Sequence, residues 1–518
     1  MKRNWFSCLV IAMLALLGGV TLASAQTLIV GRGSDGNSFD PPESESFEAI
    51  MMADYAFDGL VRYEGNSLKI GPALATSWTT SEDGLTWTFK LRPGVKFHDG
   101  TPFNADAVVF SFERQRDPQN PYYRKTFARW QAKFPTVKKT EKVDDMTVKI
   151  ELSAPSPTLL GNLAFYVAYI VSPTAVMKNP DNFRNHPVGT GPFKFVRYQK
   201  DNFTEYARND DYWRNPPAIK RLVVRTIPDN DVRLLAIKKG ELQLAYGISF
   251  SQLPEVEKDP NLKLLTSVSL GTSLLSINVE NGPFKELKVR QAVEHAINKD
   301  RIFKTVFHGY GEQADQMMPK GWPGHVEDGK TYPYDVEKAK ALLKEAGYEN
   351  GFKTTLITWA APRPYMPSPQ DAAALVKSDL ARVGIDVDIQ TMAWNTYRVE
   401  RGKGGFGLAL GGWISSTLDP DGIVYPLLHS SFIRPNDAIN WSRWRNEKVD
   451  ELLTKAGSIY DEAERKKLYE EVSRINMDAA TAVYFANPVN TLVARKEVQG
   501  VFIHPSNWVP LDEVTLGK

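Results

Sequence analysis

The sequence predicts a mixed α/β protein built from more than one domain. The chain has 518 residues, of which 42% are hydrophobic, and it exceeds the length that one hydrophobic core usually supports. An amphipathic pattern over residues 372–383 ends at Gly384, and Ile385, Val387 and Ile389 then alternate with polar residues. A helix followed directly by a strand is typical of layered α/β architecture. We therefore expect two or three α/β domains.

The first 25 residues have the layout of a secretory signal peptide. Lys2 and Arg3 precede an apolar run over residues 9–17, and Ala23-Ser24-Ala25 before Gln26 matches an A-x-A cleavage site. A membrane anchor is the alternative, but Gly, Ser, Thr and Ala dominate the end of this stretch. We expect a periplasmic protein whose mature chain begins near Gln26.

Loss of the signal peptide changes both the cysteine content and the charge. Cys8 is the only cysteine, so the mature chain would have no disulfide and no cysteine nucleophile. Loss of Lys2 and Arg3 lowers the basic count from 63 to 61, against 61 acidic residues. A net charge near zero favours binding neither to nucleic acid nor to an anionic membrane surface.

The segment from Pro72 to Phe112 has the clearest local structure in the first half of the chain. Trp87, Phe89 and Leu91 alternate as in a strand, and two glycine-containing turns follow. Asn104 is placed to cap a helix whose apolar stripe ends at Phe112. We therefore expect this segment to have a structural role and not to contact a ligand.

Further along, two amphipathic helices are predicted. Residues 289–298 place Val289, Ala292, Val293, Ala296 and Ile297 on one face. Asp335 is placed to cap a second helix over residues 336–346, which Gly347 would end.

The segment 72–112, together with the motifs at 189–195 and 209–213, resembles the extracytoplasmic solute-binding proteins of peptide-type ABC importers, family 5. The resemblance covers the mature chain. It implies a two-lobe periplasmic binding protein fold, type II-like and of cluster C, with an additional inserted domain. By this analogy the domains and hinges have the following bounds: lobe I 26–72, 187–285 and 486–518; inserted domain 73–186; lobe II 286–485; hinge segments 282–288 and 485–490.

Motifs for catalysis or cofactor binding are weak. Gly31-x-Gly33-x-x-Gly36 matches a dinucleotide fingerprint, but Pro41 and Pro42 follow where a helix would have to begin. The seven histidines show no zinc-hydrolase spacing, and no Gly-x-Ser-x-Gly motif is present. We expect no enzyme activity, no metal and no cofactor.

The loop over residues 359–367 is a candidate ligand site, since it follows a predicted strand, residues 352–359, and precedes a helix. Arg363 in this loop is suited to hold a carboxylate through two parallel charge-assisted hydrogen bonds. The Arg-Pro-Tyr-x-Pro pattern that contains Tyr365 resembles the dipeptide-binding branch of the family, which implies that Arg363 binds the carboxylate of a peptide. Two alternatives remain open: the loop is simply solvated, or Arg363 forms an ion pair between the lobes.

A second candidate loop covers residues 411–421 and resembles the family loop with a glycine-tryptophan pair, here Gly412-Trp413, and an aspartate-proline pair, here Asp419-Pro420. In peptide binders of the family, an aspartate three residues after the tryptophan pairs with the ammonium group of the ligand. This chain has Ser416 at that position. An unpaired buried ammonium costs about 3 to 5 kcal/mol, so an ordinary dipeptide is disfavoured unless Asp419 or Asp421 replaces the missing carboxylate.

These observations predict a periplasmic receptor that captures an acidic or N-modified, peptide-like solute, such as a modified peptide, an opine or a related conjugate. The expected partners are this ligand and the membrane permease of an ABC importer, and we expect a monomer. A secreted peptide or glycoside hydrolase and a chemoreceptor adaptor or chaperone remain alternatives. The predicted ligand-binding residues are Arg363, Tyr365, Gly412, Trp413, Ser416, Asp419 and, near the expected hinge, Tyr484.

Overall fold

The computed structural model describes residues 26–44, 47–415 and 417–517. The predicted signal peptide and Ser416 lie outside the described residues. The strands are β1 (Thr27–Arg32), β2 (Val61–Tyr63), β3 (Ile70–Pro72), β4 (Ala75–Thr80), β5 (Thr86–Leu91), β6 (Val137–Asp144), β7 (Thr147–Leu152), β8 (Phe193–Gln199), β9 (Phe203–Arg208), β10 (Arg221–Thr226), β11 (Leu244–Tyr246), β12 (Leu262–Val268), β13 (Gly271–Ile277), β14 (Glu312–Gln313), β15 (Phe352–Trp359), β16 (Ile385–Met392), β17 (Leu408–Ile414), β18 (Ala482–Asn487), β19 (Val489–Arg495), β20 (Val498–Gln499) and β21 (Thr515–Leu516).

The α-helices over the same residues are α1 (Phe47–Ala56), α2 (Ala105–Arg116), α3 (Ala128–Lys133), α4 (Leu159–Leu163), α5 (Pro173–Lys178), α6 (Asn230–Lys238), α7 (Leu253–Lys258), α8 (Leu287–Ala296), α9 (Lys299–Val306), α10 (Val336–Glu345), α11 (Pro369–Ala381), α12 (Trp394–Lys403), α13 (Asp421–Leu428), α14 (Glu447–Ala456) and α15 (Glu462–Ala479). Among these described helices, none combines the length and the apolar character that crossing a bilayer requires.

The first large sheet has seven strands in the order β12-β19-β11-β1-β10-β9-β8. Its central strand β1 runs parallel to β10 and β11, and the outer pairs are antiparallel. The strands come from three separate parts of the chain, residues 27–32, 193–268 and 489–495.

The second large sheet has six strands in the order β14-β18-β13-β17-β15-β16. It contains β13, which the sequence-based bounds placed in lobe I. The chain therefore first passes between the sheets at Ser269 and Leu270, between β12 and β13, and not at residues 282–288. Pairing of the fully buried β13 with β17 and β18 decides this position. The second passage is at Pro488, between β18 and β19.

A separate four-stranded antiparallel sheet, β4-β5-β7-β6, contains the strand predicted within the segment 72–112. Phe89 on β5 is fully buried, and the Asn104 side chain accepts a hydrogen bond from the backbone N–H of Ala107 at the start of α2. The predicted strand and helix cap are thus confirmed. Phe89 and Phe112 also share one apolar core with Val30 of the seven-stranded sheet.

The predicted helices and strand of the second half are present as well. Residues 289, 292, 293, 296 and 297 are fully buried, and Asp335 caps α10 by accepting from the N–H of Lys338. The strand predicted after Gly384 is β16, which runs parallel to β15.

Two tyrosine side chains, Tyr460 and Tyr63, form hydrogen bonds with residues that are far away in the sequence. The Tyr460 hydroxyl donates to the carbonyl of Gly84 at 3.0 Å and accepts from the N–H of Ser156 at 3.1 Å. The Tyr63 hydroxyl donates to the carbonyl of Thr417 at 2.8 Å. Through Tyr460, the segment that contains strands β4 to β7 contacts the part of the chain that carries the six-stranded sheet.

Candidate ligand-binding site

The main candidate site is a cavity of about 780 Å³ beside the six-stranded sheet. Strand β15 runs parallel to both β16 and β17, so the carboxyl ends of all three strands lie at one edge. The segments that follow β15 and β16 supply Arg363 and Trp394 to the cavity wall, and the last residues of β17 supply Trp413. Ligands of α/β proteins usually bind outside this edge of a sheet, and the volume is within the common range for small-molecule sites.

Arg363 lies in a tight turn that fixes its backbone. Its N–H donates to the carbonyl of Met366, and the Met366 N–H donates back to the carbonyl of Arg363, at 3.1 and 2.9 Å. Its guanidinium carbon lies 3.8 Å from the ring centre of Trp394, a distance that favours cation–π stacking. Its Nε is buried without a hydrogen-bond partner. The half-buried guanidinium is thereby held in place while part of its hydrogen-bonding capacity is unused.

The Gly411-Gly412 pair on β17 makes room for two aromatic rings. A Cβ at Gly411 would lie 2.6 Å from the Trp441 ring, and a Cβ at Gly412 would lie 2.3 Å from the Tyr365 ring. Because successive strand residues face opposite sides, one ring packs on each face of β17. Gly412 therefore contributes by letting Tyr365 approach the strand.

Trp413 forms part of the cavity wall and is half-buried. Its indole N–H donates to the carbonyl of Gly422 at 2.8 Å, and its ring centre lies 6.2 Å from that of Trp441. The hydrogen bond fixes the orientation of the ring at the cavity.

Helix α12 supplies cavity residues that the sequence interpretation missed. Trp394, Arg398 and Arg401 are spaced by four and then three residues, which places them on one helix face, and all three line the cavity. The Arg401 guanidinium carbon lies 4.2 Å from the ring centre of Trp441. The helical spacing was visible in the sequence and would have indicated a basic and aromatic face.

Arginine dominates the charge of this cavity. Arg129, on α3 of the opposite segment, also lines it and donates to the Tyr166 hydroxyl at 2.6 Å. The lining contains one carboxylate, the exposed Asp437, which lies 3.8 Å from Arg434 outside the cavity lining. Within the described part of the chain, no carboxylate forms an ion pair with Arg363, Arg398 or Arg401. The cavity is therefore strongly positive.

Asp419, predicted to contact the ligand, is held by another residue. Both of its carboxylate oxygens accept from the guanidinium of Arg465, at 2.8 and 2.9 Å. Burial raises the pKa of nearby Asp421 to about 7, and neither aspartate lines the cavity. Asp419 is therefore already paired with a guanidinium and lies outside the cavity lining.

Tyr484 is buried on β18, and its hydroxyl donates to the side-chain oxygen of Asn476 at 2.7 Å. It lines a separate cavity of about 20 Å³, too small for a solute. The structure thus brings Arg363, Tyr365, Gly412 and Trp413 together but does not place Tyr484 with them.

A smaller cavity of about 240 Å³ adjoins the first, because Pro364 and Ile414 line both. Its walls come mostly from the seven-stranded side and include Asp54 on α1. Burial raises the pKa of Asp54 to about 7, although the Tyr169 hydroxyl donates to its carboxylate at 2.6 Å. Together the two cavities mark the cleft between the segments that carry the two large sheets. No cluster of three or more potential metal ligands occurs among the residues with described positions.

The chain passes twice between two α/β lobes, and a cleft lies between them. This arrangement defines a solute-binding protein of the two-lobe class. Residues 69–434 match the model of the bacterial extracellular solute-binding proteins, family 5 Middle. The chain belongs to this family, the peptide-type solute-binding components of ABC importers.

Individual relatives align over nearly the whole chain. Heme-binding protein A of Haemophilus influenzae is 36% identical, with 90% of this chain and 87% of the relative covered. The dipeptide-binding protein of Escherichia coli and the glutathione-binding protein GsiB of Pectobacterium atrosepticum are each 34% identical, with 95% of both chains covered. The solved structure of HbpA2 from Haemophilus parasuis superposes with a TM-score of 0.88 at 32% identity, covering 95% of this chain and all of that one.

Proposed function

We propose that this protein is a periplasmic receptor that binds an acidic, peptide-like solute in the cleft and delivers it to the permease of an ABC importer. The observation that carries the ligand class is the guanidinium of Arg363, which is stacked on Trp394 and has a buried Nε without a partner. A guanidinium binds carboxylates and phosphates through two parallel charge-assisted hydrogen bonds, and of these groups a peptide carries the carboxylate. Relatives named for dipeptides and glutathione support a peptide-like ligand.

The charge of the cavity disfavours a ligand with an unmodified ammonium group next to the arginines. The lining offers only the exposed Asp437 as a carboxylate, and Asp419 is bound to Arg465. An N-acylated peptide or a conjugate whose amine is blocked avoids this unfavourable contact. A free dipeptide would need an ammonium partner that the described cavity residues do not offer.

In this proposal, each lobe is the segment that carries one of the two large sheets. The chain first crosses from one lobe to the other at residues 269–270. A ligand can favour closure only if it contacts both sides of the cleft better in the closed state. Arg363 on one side and Arg129 on the other are placed to provide such contacts.

The test is isothermal titration calorimetry with matched ligands: N-acetyl-Ala-Ala as the free acid, the same peptide as its carboxamide, and unmodified Ala-Ala. We expect one-to-one binding of the acid, at least tenfold weaker binding of the carboxamide, and weak binding of the free dipeptide. Equal binding of acid and carboxamide would contradict the role of the carboxylate.

Two further measurements address the receptor role. Mass spectrometry of the ligand after prolonged incubation should recover it intact, whereas a hydrolase would release products. N-terminal sequencing of protein from a periplasmic fraction should begin at Gln26, and retention of residues 1–25 would contradict a cleaved signal.

A further inference from the structure

The cavity contains more guanidinium groups than one ligand carboxylate requires. Arg363 lies on the loop after β15, whereas Arg398 and Arg401 lie on α12 after β16. The phenol of Tyr365, whose pKa is raised mainly by burial, lies within electrostatic reach of all three. The three cations therefore surround one wall of the cavity.

Arg363 and Arg401 are each held by a different aromatic partner. Arg363 stacks on Trp394 at 3.8 Å, and Arg401 stacks on Trp441 at 4.2 Å. The Nε atom of each is buried without a hydrogen-bond partner. Stacking fixes a guanidinium plane without using its N–H donors. Arg401 also interacts with the Tyr397 hydroxyl, and the donors that this contact leaves unused, like those of Arg363, can bind an anion.

Without a ligand, this arrangement is electrostatically unfavourable. Like charges repel more strongly in a partly desolvated cavity than in water, and no ion pair among the described residues offsets Arg363, Arg398 or Arg401. The lining carboxylate, Asp437, is exposed and lies beside Arg434. A ligand with one negative charge would leave most of the positive charge uncompensated.

We propose that the site has a second anion subsite, formed by Arg401 with Arg398, and that the physiological ligand is a peptide-like dicarboxylate. This inference rests on the proposed function, because it assumes that Arg363 takes the first carboxylate. The second carboxylate lies on an acidic side chain or conjugated acid of the ligand. The cavity volume of about 780 Å³ accommodates such a molecule.

The test compares ligands that differ in one negative charge at nearly constant shape. N-acetyl-Ala-Glu is paired with N-acetyl-Ala-Gln, and N-acetyl-Glu-Ala with N-acetyl-Gln-Ala, so that the side chain is sampled at both positions. Calorimetry gives the affinity ratio within each pair. For the wild-type protein, we expect that in at least one pair the glutamate peptide binds at least ten times more tightly than the glutamine peptide.

Arg401→Gln and Arg398→Gln should each lower this ratio, and the double variant should bring it close to one. Arg398 is exposed, so its substitution tests the subsite even if loss of Arg401 lowers stability. Arg363→Gln should weaken both peptides of a pair and keep their ratio. Arg382→Gln is the matched control: it removes an exposed arginine that lies outside the cavity lining and bonds to Tyr334, also outside it, so it should leave the ratio unchanged.

The outcomes separate this inference from the proposed function. Equal binding of glutamate and glutamine peptides by the wild type would overturn the second subsite and leave an acidic-peptide receptor standing. An unchanged ratio in the Arg398/Arg401 double variant would also overturn it. Binding of none of these peptides would overturn the proposed ligand class and the inference together.

Discussion

Replacement of Arg363 by alanine should remove most of the affinity for an acidic ligand without unfolding the protein. The side chain is half-buried, stacks on Trp394 and donates no side-chain hydrogen bond to the described residues. Its loss therefore removes little from the fold. It would leave a ligand carboxylate desolvated and without its two charge-assisted hydrogen bonds.

Truncation of one partner in a buried, hydrogen-bonded charge pair costs about 2 to 5 kcal/mol. Because Arg363 is partly exposed, we expect the lower part of this range, about 2 to 4 kcal/mol, or roughly a 30- to 1000-fold loss of affinity. Arg363→Lys keeps the charge but loses the planar fork, so it should recover only about tenfold of this loss.

The assay is calorimetric titration of wild type, Arg363→Ala, Arg363→Lys and the control Arg382→Ala with N-acetyl-Ala-Ala and its carboxamide, after thermal unfolding has verified each variant. The loss should be large for the acid and small for the carboxamide. An equal loss for both ligands, or unchanged affinity for the acid, would refute the assignment of Arg363 to the carboxylate.

Three other perturbations test separate parts of the cleft. Ser416→Asp should shift preference toward dipeptides with a free ammonium group, measured as the affinity ratio of Ala-Ala to N-acetyl-Ala-Ala; loss of all binding without a shift would count against this role. The pKa of Asp54 is raised from 3.8 to about 7, so its protonated form stabilises the fold below about pH 4. That contribution, up to about 4 kcal/mol, is lost as the pH rises through 7. Asp54→Asn should therefore flatten the dependence of the melting temperature on pH between 4 and 7, whereas parallel curves for both proteins would contradict the raised pKa. Tyr460→Phe removes two hydrogen bonds to Gly84 and Ser156, each worth about 1 kcal/mol. It should weaken all ligands by a similar factor and increase the radius of gyration in X-ray scattering, and a change in selectivity instead would show that Tyr460 acts on the site itself.

Local patterns in the sequence were sufficient wherever neighbouring residues decide the structure. The cap at Asn104 depends on a hydrogen bond to a residue three positions away, and the strand that contains Trp87, Phe89 and Leu91 pairs with the strand just before it in the sequence. The same holds for the strand that ends at Trp359, which has the predicted bounds. A loop after such a strand begins at the sheet edge, and Arg363 in this loop lines the cavity.

Patterns that depend on distant partners were harder to interpret. β13 was assigned to the wrong lobe because its apolar sequence fits either core, and only its pairing with β17 and β18 decides between them. Asp419 resembled a ligand contact until its bidentate partner Arg465 was known. That pair joins positions 46 residues apart.

By itself, the sequence determined the class of the protein and the loop that follows Trp359, and it predicts a secretion signal in residues 1–25. These properties depend on local periodicity, short motifs and family resemblance. The tertiary structure decided which charged groups face the cleft. Helix α12 brings Arg398 and Arg401 to the loop of Arg363, and the stacking of Arg363 and Arg401 on Trp394 and Trp441 leaves their buried Nε atoms without partners. Such an arrangement depends on the packing of three strand ends, and no single segment of the sequence contains it.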